Sequence, residues 1–365
     1  MTSFISLSIL TLNVWFDLLE LKMRTKLIIT EILRQRPDVV CLQEVLPQVL
    51  TILKEHKEIS SIYSFSNFEP GHGYGNVTLV KHKHNPEFET FPLPSKMGRK
   101  LTLAHLNQRN SYIPHISVGN VHLESLNNQE TRELQLEFCR LHLQPGCSVL
   151  VGDFNISADD AIYRTRMSEG VKEQKENKET EECDQATEMD TTKPQKDSVG
   201  FDKKDNVDAD ASSVFRIIQN DAILRILPHH QDAWLQQTPI IRALLEAKEE
   251  HHLKESAPSH TTDIDGIVDE LGYTFDVAIN NMSNKNTIER KRIDRIMTSL
   301  DPEKFEFLNM SRIGTSIFST GEGGRIKTIY PSDHFGLLYS CLVHTAGSSD
   351  NNLGQRTSRS MCSIS

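Results

Sequence analysis

Short apolar segments of this sequence repeatedly end in carboxylate, amide and imidazole side chains. Asn13 follows residues 9–12, Gln43-Glu44 follows residues 39–42, and Asp153 and Asn155 follow residues 149–152. The same pattern recurs at His122, Asp294, Asp333 and His334. Carboxylate oxygens suit a hard cation such as Mg²⁺, and imidazoles beside them can donate hydrogen bonds to a bound anion. The pattern therefore predicts a site for a divalent cation and an anion.

Each of these residues, taken alone, has an ordinary structural explanation. A glutamate such as Glu44 after a strand is usually solvated, and Asp153 and Asn155 are common turn formers. A single histidine such as His122 is more often a hydrogen-bonded residue of the core. Six such groups, each at the end of an apolar segment, are improbable as a coincidence. If the segments are strands, their ends gather these groups at one edge of a sheet.

The elements that position these residues follow from hydrophobic periodicity and turn residues. Helices are predicted over residues 21–35, 46–56, 128–143 and 213–227, and Leu134, Phe138 and Leu141 form the predicted apolar face of the third. Strands are predicted over residues 6–12, 39–42, 62–66, 74–80, 100–106, 112–123, 148–151, 292–297, 305–313 and 335–343. Many strands with few helices, and no glycine-rich nucleotide-binding motif, indicate an α+β fold.

Charge is unevenly distributed along the 365 residues. The formal net charge is −10, and residues 168–211 contain 14 acidic residues and seven lysines, a net charge of −7. Because this segment is poor in apolar residues, burial cannot offset the entropy of ordering it, and we expect a disordered insert. We predict one domain over residues 4–344, interrupted by the insert, and a disordered tail over residues 345–365. Two domains divided at the insert are the alternative.

Composition also constrains the compartment. No apolar run reaches the roughly 18–20 residues that a membrane span needs. The apolar residues near the N-terminus are too few for a secretory signal. The six cysteines include no C-x-x-C pair, which is typical of reduced thiols in an intracellular protein. We expect an intracellular protein, nuclear or cytoplasmic, that does not bind membranes.

The order of the polar groups resembles the exonuclease–endonuclease–phosphatase superfamily of Mg²⁺-dependent phosphodiesterases. The matching elements are Asn13, Gln43-Glu44, His122 in H-x-E, Asp153 and Asn155 in G-D-x-N, Asp294, and Asp333-His334 in S-D-H. The resemblance covers about residues 6–343. It implies a four-layer αββα sandwich, in which helices flank two packed mixed β-sheets.

A finer resemblance is to the tyrosyl-DNA phosphodiesterase 2 subfamily, the 5′-end enzymes. The segments that carry it are T-L-N-V-W-F at 11–16, L-Q-E-V at 42–45, H-L-E-S at 122–125, G-Y-T-F-D at 272–276, K-R-I-D-R-I at 291–296 and P-S-D-H-F-G-L at 331–337. Arg99 in M-G-R is similar to the subfamily's substrate arginine, and Tyr74 to its substrate-facing tyrosine. Trp15, Ser157 and Phe275 depart from the vertebrate-type pattern.

The resemblance implies how a metal ion and a water molecule are held. Glu44 would bind Mg²⁺, for which Mn²⁺ can substitute, and Asp333 would be a weaker metal neighbour. Asp153 would accept a proton from the attacking water, and Asn155 would orient that water.

The resemblance also implies how the phosphate and the rest of the substrate are bound. His334 and His122 would donate hydrogen bonds to phosphate oxygens, and Asp294 would orient His334. Asn13 would hold the phosphate or Glu44. The implied substrate-binding residues are Tyr74, Arg99, Ser125 and Phe275.

A tyrosyl ester suits this set of residues. A phenol has a pKa of about 10, against about 15.7 for water and a similar value for alcohols, so a phenolate can leave without a dedicated general acid. The expected partner is a DNA 5′ end linked through tyrosine to a protein or peptide, and the expected enzyme is a monomer. For Tyr74 the alternative is a strand-edge aromatic, and for Arg99 a solvated turn residue.

Other functions remain open on the sequence alone. With the same fold, the protein could be an abasic-site endonuclease, an RNA deadenylase, or an inositol-phosphate or sphingomyelin phosphodiesterase. A non-enzymatic alternative is an inactive scaffold that binds partners through its acidic insert.

Overall fold

The computed structural model describes residues 3–106, 114–157, 222–237, 273–277, 279–280, 282, 290–315, 317–322 and 325–345. The predicted insert, the predicted tail after residue 345 and most of the helix predicted over residues 213–227 lie outside the described residues. Among the helices that the structure describes, none is both long and apolar enough to cross a membrane.

Two six-stranded mixed sheets form the centre of the molecule. The first contains β1 (Ser3–Asn13), β2 (Val39–Val45), β3 (Tyr63–Phe65), β4 (Gly75–Lys81), β13 (Phe305–Ile313) and β16 (Gly336–Thr345), in the order β13-β16-β1-β2-β4-β3. The second contains β5 (Pro86–Pro92), β6 (Lys100–Leu106), β7 (Ile116–His122), β8 (Cys147–Asp153), β9 (Gln231–Asp232) and β12 (Asp294–Leu300), in the order β5-β6-β7-β8-β12-β9. Two small sheets pair β10 (Phe275–Asp276) with β11 (Arg290–Lys291), and β14 (Phe318–Glu322) with β15 (Arg325–Ile329).

Helices cover the outer face of each large sheet. The helices on these outer faces are α1 (Leu21–Gln35), α2 (Pro47–Glu55), α3 (Lys57–Ile62), α4 (Gln129–His142) and α5 (Ala222–Ile226). A further short helix, α6 (Ala233–Gln237), instead packs Ala233 into the core between the two sheets. Ile28 of α1 and Leu53 of α2 pack in one core with Leu42 of the first sheet. Leu136 of α4 and Leu150 of the second sheet belong to another core.

The inner faces of the two sheets form a third core. Ile9 and Cys41 of the first sheet pack there with Val118 and Val151 of the second. Burial of apolar side chains in three successive cores is what holds the four layers together. The α+β fold class and the αββα sandwich predicted from the sequence are therefore confirmed.

Strand register brings the polar groups together at one end of the sandwich. β1 runs parallel to β2 with Asn13 opposite Gln43, and β7 runs parallel to β8 with His122 opposite Asp153. β12 runs antiparallel to β8, which places its first residue, Asp294, opposite Asp153. The ends of β1, β2, β7 and β8 therefore meet the start of β12.

A buried polar network joins the two sheets near this end. The Gln43 Nε2 group donates to Asn120 Oδ1 at 2.8 Å and to Thr11 Oγ1 at 3.0 Å. Asn120 Nδ2 donates in turn to Thr78 Oγ1 at 3.2 Å. Because buried polar groups are costly unless they are paired, these bonds fix how the sheets are aligned. Gln43 therefore aligns the sheets, whereas Glu44 beside it points to the groove described below.

Three details differ from the sequence-based expectations. The predicted apolar face of α4 is wrong, because Leu134 is 60% and Leu141 73% exposed. The buried side of that helix instead carries Arg132, Gln135, Leu136 and Cys139, since two of these polar side chains bond to the strand-end segment after β7. β16 continues to Thr345, which pairs with Ser3, so the first residue of the predicted tail is in a strand. β5, α3 and the β14–β15 hairpin were not predicted.

Gly152 allows β7 and β8 to approach each other beside the site. It has φ +137°, and a Cβ there would lie 1.9 Å from the carbonyl oxygen of Val121. Gly152→Ala is therefore expected to lower the free energy of unfolding by more than about 3 kcal/mol, through overlap and backbone strain together. Gly146 is the matched control, because it has φ +81° but no atom within 4 Å of an added Cβ. Gly146→Ala should cost about 1–2 kcal/mol from strain alone. Denaturant unfolding measures both, and equal costs would contradict this explanation.

Candidate active site

Glu44 is directed toward the strand ends by a bulge in β2. The pairing of β2 with β4 shifts between Leu42 and Val45, and Glu44 has a left-handed φ of 57°. Bulges re-aim side chains near functional sites, and such a φ costs on the order of 1–3 kcal/mol in a residue other than glycine. The main-chain N–H of Phe16 donates to Glu44 Oε2 at 3.0 Å and fixes the carboxylate.

Asp153 is held by two asparagines. Asn13 Nδ2 donates to Asp153 Oδ2 at 3.0 Å, and the main-chain N–H of Asn155 donates to Asp153 Oδ1 at 2.9 Å. A hydrogen bond from Asn13 also favours the ionised form of Glu44. Asn13 therefore connects two of the carboxylates, and the carboxylate group of Asp153 has a fixed orientation.

His122 is a neutral hydrogen-bond donor. Arg99 donates a guanidinium N–H to His122 Nδ1 at 2.9 Å. Because a guanidinium has no acceptor, Nδ1 carries the lone pair and the ring proton is on Nε2. Burial, and then the charge of Arg99, lowers the pKa of His122 to about 3. The Nε2 atom lies 3.6 Å from Asp153 Oδ2 and 3.8 Å from Glu44 Oε1, so its proton points between the two carboxylates.

His334, unlike His122, is positively charged. Its Nδ1 lies 2.8 Å from Asp294 Oδ2. Although burial alone would lower the pKa of His334, the Asp294 carboxylate raises it well above its usual value. His334 is therefore an imidazolium whose Nε2–H is available to an anion. A phenolate leaving group was expected to need no dedicated general acid, yet a protonated histidine can serve as one.

Thr274 positions the Asp294–His334 pair. Its hydroxyl oxygen accepts hydrogen bonds from the main-chain N–H groups of Ile293 and Asp294, at 3.2 and 3.0 Å. The ring of Phe275 lies 5.3 Å from that of His334. The G-Y-T-F-D segment therefore supports the pair through Thr274, a residue that the sequence analysis did not select.

Glu124, the glutamate of H-L-E-S, does not line the groove but supports the turn that carries Arg99. Its carboxylate accepts hydrogen bonds from the Ser95 hydroxyl at 2.5 Å and from the Lys96 main chain at 3.0 Å. Ser95 Oγ in turn accepts the main-chain N–H of Arg99 at 3.1 Å. Only the spacing H-x-E marks this residue in the sequence.

Tyr74 and Arg99 form a cation–π pair. The Arg99 guanidinium carbon is 5.5 Å from the centroid of the Tyr74 ring, and an N–H of Arg99 donates to the Tyr74 hydroxyl at 3.3 Å. The Ser125 hydroxyl donates to the sulfur of Met97, two residues before Arg99, at 3.2 Å. Tyr74, Arg99 and Ser125 therefore occupy one side of the site together.

All these groups border or contact a single groove of about 1050 Å³. Of the predicted site residues, its lining includes Glu44, Tyr74, Arg99, Ser125, Asn155, Phe275, Asp333 and His334. His122, Asp153 and Asp294 contact that lining through the short distances given above. Asn13 contacts it through Trp15, whose main-chain N–H donates to Asn13 Oδ1 at 2.9 Å. The structure thus brings every predicted site residue to one place.

The donor set fits a divalent cation. Burial, and then the charge of Asp333, raises the pKa of Glu44 to about 7, and burial raises the pKa of Asp333. The Glu44 side chain is only 12% exposed and Asp333 is buried, and two such neighbouring carboxylates are costly unless a cation neutralises them. Asp153, Asp294 and His334 form a second group that could hold a metal ion. Each offers one ligand atom, and these three atoms lie within 4.8 Å of one another. His334 and Asp294 are already bonded to each other, so Glu44 with Asp333 better suits an ion that prefers oxygen.

Sequence comparison gives the family. The model of the Endonuclease/Exonuclease/phosphatase family matches residues 10–334. The chain belongs to this family. Members of the family act on phosphoester bonds, so the chain is placed among the phosphodiesterases and phosphatases. These enzymes generally require a divalent metal ion, which agrees with the acidic and histidine groups of the groove.

Solved structures of this family share the fold. A D. rerio TDP2 complexed with single-strand DNA product has 21% identity and a TM-score of 0.54, and the match covers 92% of this chain and 98% of that one. A truncated Caenorhabditis elegans TDP2 has 18% identity, a TM-score of 0.54, and coverage of 93% and 98%. A Bacteroides thetaiotaomicron mannosyl-6-phosphatase has 15% identity, a TM-score of 0.53, and coverage of 92% and 99%. Identities this low show the fold alone. No curated protein matches the sequence significantly.

Proposed function

We propose that the protein is a Mg²⁺-dependent phosphodiesterase that hydrolyses the 5′-phosphotyrosyl bond between DNA and a protein or peptide, leaving a 5′-phosphate. It would act as a monomer in DNA repair, in the nucleus. The observation that carries the proposal is the Arg99–Tyr74 pair, which is bonded directly to His122. A guanidinium held beside an aromatic ring can balance the charge of a departing phenolate.

The bound phosphate would lie between the two histidines. The neutral Nε2–H of His122 and the cationic Nε2–H of His334 would donate to its non-bridging oxygens, where charge develops in the transition state. Glu44 and Asp333 would hold Mg²⁺, which when bound supplies positive charge to a phosphate oxygen. Because His334 can also act as an acid, the preference for a phenolate rests on Arg99 and Tyr74.

Asp153 would accept the proton of the attacking water. Its two oxygens already accept hydrogen bonds from Asn13 and Asn155, which keep the carboxylate group oriented. Oriented proton acceptors contribute about 10²- to 10⁴-fold to such reactions. Asn155 follows Asp153 with a left-handed φ of 50°, which brings its amide back toward the same groove.

Arg99→Ala tests the leaving-group assignment. Its loss also frees His122, so kcat/KM should fall on every ester. On a 5′-tyrosyl oligonucleotide kcat/KM should fall about 30-fold further than on thymidine 5′-phosphate p-nitrophenyl ester. A desolvated cation–π contact is worth about 2 kcal/mol, and p-nitrophenolate is a good leaving group that needs little stabilisation. Arg140→Ala, an exposed arginine of α4, is the control that should change neither rate. Equal losses on the two esters would reduce Arg99 to a general phosphate contact.

A further inference from the structure

Phe16 presents an aromatic ring at the edge of the groove. It is 47% exposed and lines the groove together with Glu44, Tyr74 and Arg99. Single exposed apolar residues are normal on protein surfaces. Phe16 differs from such residues because its ring borders the catalytic groups.

Phe16 lies on a loop whose main chain is held by hydrogen bonds from Arg24. Arg24, a buried residue of α1, donates to the main-chain carbonyl groups of Val14, Trp15 and Leu19 at 2.8–3.2 Å, and also to that of Asp17. Its guanidinium lies 4.7 Å from the Trp15 ring. Trp15 has a left-handed φ of 59°, which the surrounding bonds must maintain. The loop of residues 14–20 therefore holds the Phe16 ring in a defined position.

Two contacts fix Phe16 relative to the reacting groups. Its main-chain N–H bonds to Glu44, as described above, and its ring lies parallel to that of Tyr74, with 4.8 Å between centroids and 10° between planes. One face of Phe16 is covered by Tyr74, so its exposure lies on the rest of the ring. A planar group that enters the groove can therefore stack on the exposed part of the Phe16 ring.

We propose that Phe16, supported by Tyr74, is a stacking platform that binds a planar aromatic ring of the substrate. This inference rests on the proposal that the groove binds a phosphate ester. The ring can come from the nucleobase of the 5′-terminal nucleotide or from the tyrosyl group. Stacking on an aromatic side chain is sequence-tolerant, because every base has a π-face. The platform would therefore add affinity without reading DNA sequence.

Binding without turnover tests the platform. In the full chain carrying Asp153→Asn, with Mg²⁺, calorimetry would measure the Kd of thymidine 5′-monophosphate, phenyl phosphate and deoxyribose 5-phosphate. Adding Phe16→Ala should weaken the binding of at least one ring-bearing phosphate about tenfold and leave deoxyribose 5-phosphate unchanged. Phe16→Tyr should restore the affinity. Leu18→Ala is the matched control, since Leu18 is 69% exposed on the same loop but does not line the groove.

The outcomes separate the sources of the ring. Weaker binding of thymidine 5′-monophosphate alone assigns the platform to the nucleobase, and weaker binding of phenyl phosphate alone assigns it to the tyrosyl ring. Equal weakening of all three phosphates would show that Phe16 acts only through Glu44 and would overturn the platform. No change in any Kd, or no preference of the Phe16 protein for ring-bearing phosphates, would also overturn it. Ring-dependent binding in a protein that does not cleave 5′-tyrosyl DNA would instead contradict the proposed function.

Discussion

Asp153→Asn and His334→Ala should each lower kcat/KM by at least about 10³-fold on every phosphodiester that the protein hydrolyses. Asp153→Asn removes the proton acceptor. In Asp153, one carboxylate oxygen accepts from Asn13 and the other from the main-chain N–H of Asn155. Asparagine replaces one of these oxygens by an NH₂ group, which cannot accept, so one of the two donors loses its partner. His334→Ala removes the imidazolium that is paired with Asp294, and with it a charged hydrogen bond to the transition state.

Two further variants show whether the loss is specific. Asp294→Asn keeps His334 but removes the carboxylate that holds its charge and orientation, so an intermediate loss of about 10²-fold is expected. Asp301→Asn, a substitution in the turn after β12 at the opposite end of that strand, should leave kcat/KM unchanged. Near-normal rates for Asp153→Asn or His334→Ala, with the protein still folded by circular dichroism, would contradict the assigned roles.

Glu44→Gln should abolish Mg²⁺-dependent turnover and leave the fold intact. The glutamine has the same shape, and its amide oxygen can still accept the main-chain N–H of Phe16. The change removes the negative charge that a hard cation needs. We expect at least about a 10³-fold lower rate at Mg²⁺ concentrations that saturate the wild type, and loss of the Mg²⁺ binding seen by calorimetry.

Chelation and a matched control complete the test of the metal site. EDTA should stop the wild-type reaction, and added Mg²⁺ or Mn²⁺ should restore it. Glu137→Gln, an exposed glutamate of α4, should bind Mg²⁺ and turn over substrate like the wild type. Full activity of Glu44→Gln, or of the wild type in EDTA, would show that Glu44 does not hold a required metal.

The sequence was sufficient to predict which residues meet, because strand ends are local features. An apolar run followed by a polar residue marks the end of β1, β2, β7 or β8. Parallel pairing aligns the ends of β1 with β2 and of β7 with β8, and the packing of the two sheets brings the two pairs together. Asn13, Glu44, His122 and Asp153 were therefore predictable individually. β5 was missed because it is an edge strand with charged residues and a proline at each end, so it lacks a continuous apolar run.

The charge states and supporting contacts could not be predicted from the sequence. His122 and His334 look alike in sequence, yet one is neutral because Arg99 donates to it and the other is charged because Asp294 accepts from it. Those partners lie 23 and 40 residues away along the chain, and only the folded structure brings them into contact. The role of Glu124 could not be predicted either, since it depends on hydrogen bonds within the turn that carries Arg99.

A product assay on matched substrates tests the central claim most directly. The wild-type protein with Mg²⁺ would be given a 5′-tyrosyl oligonucleotide, the same oligonucleotide with a 3′-tyrosyl end, an abasic-site duplex, poly(A) and mannose 6-phosphate. The proposal predicts that the 5′-tyrosyl oligonucleotide is cleaved at least about 100-fold faster than the others, since their leaving groups or geometry do not use Arg99 and Tyr74. The product should carry a 5′-phosphate. A faster reaction on any other substrate of the panel, or no release of tyrosine from the 5′ end, would contradict it.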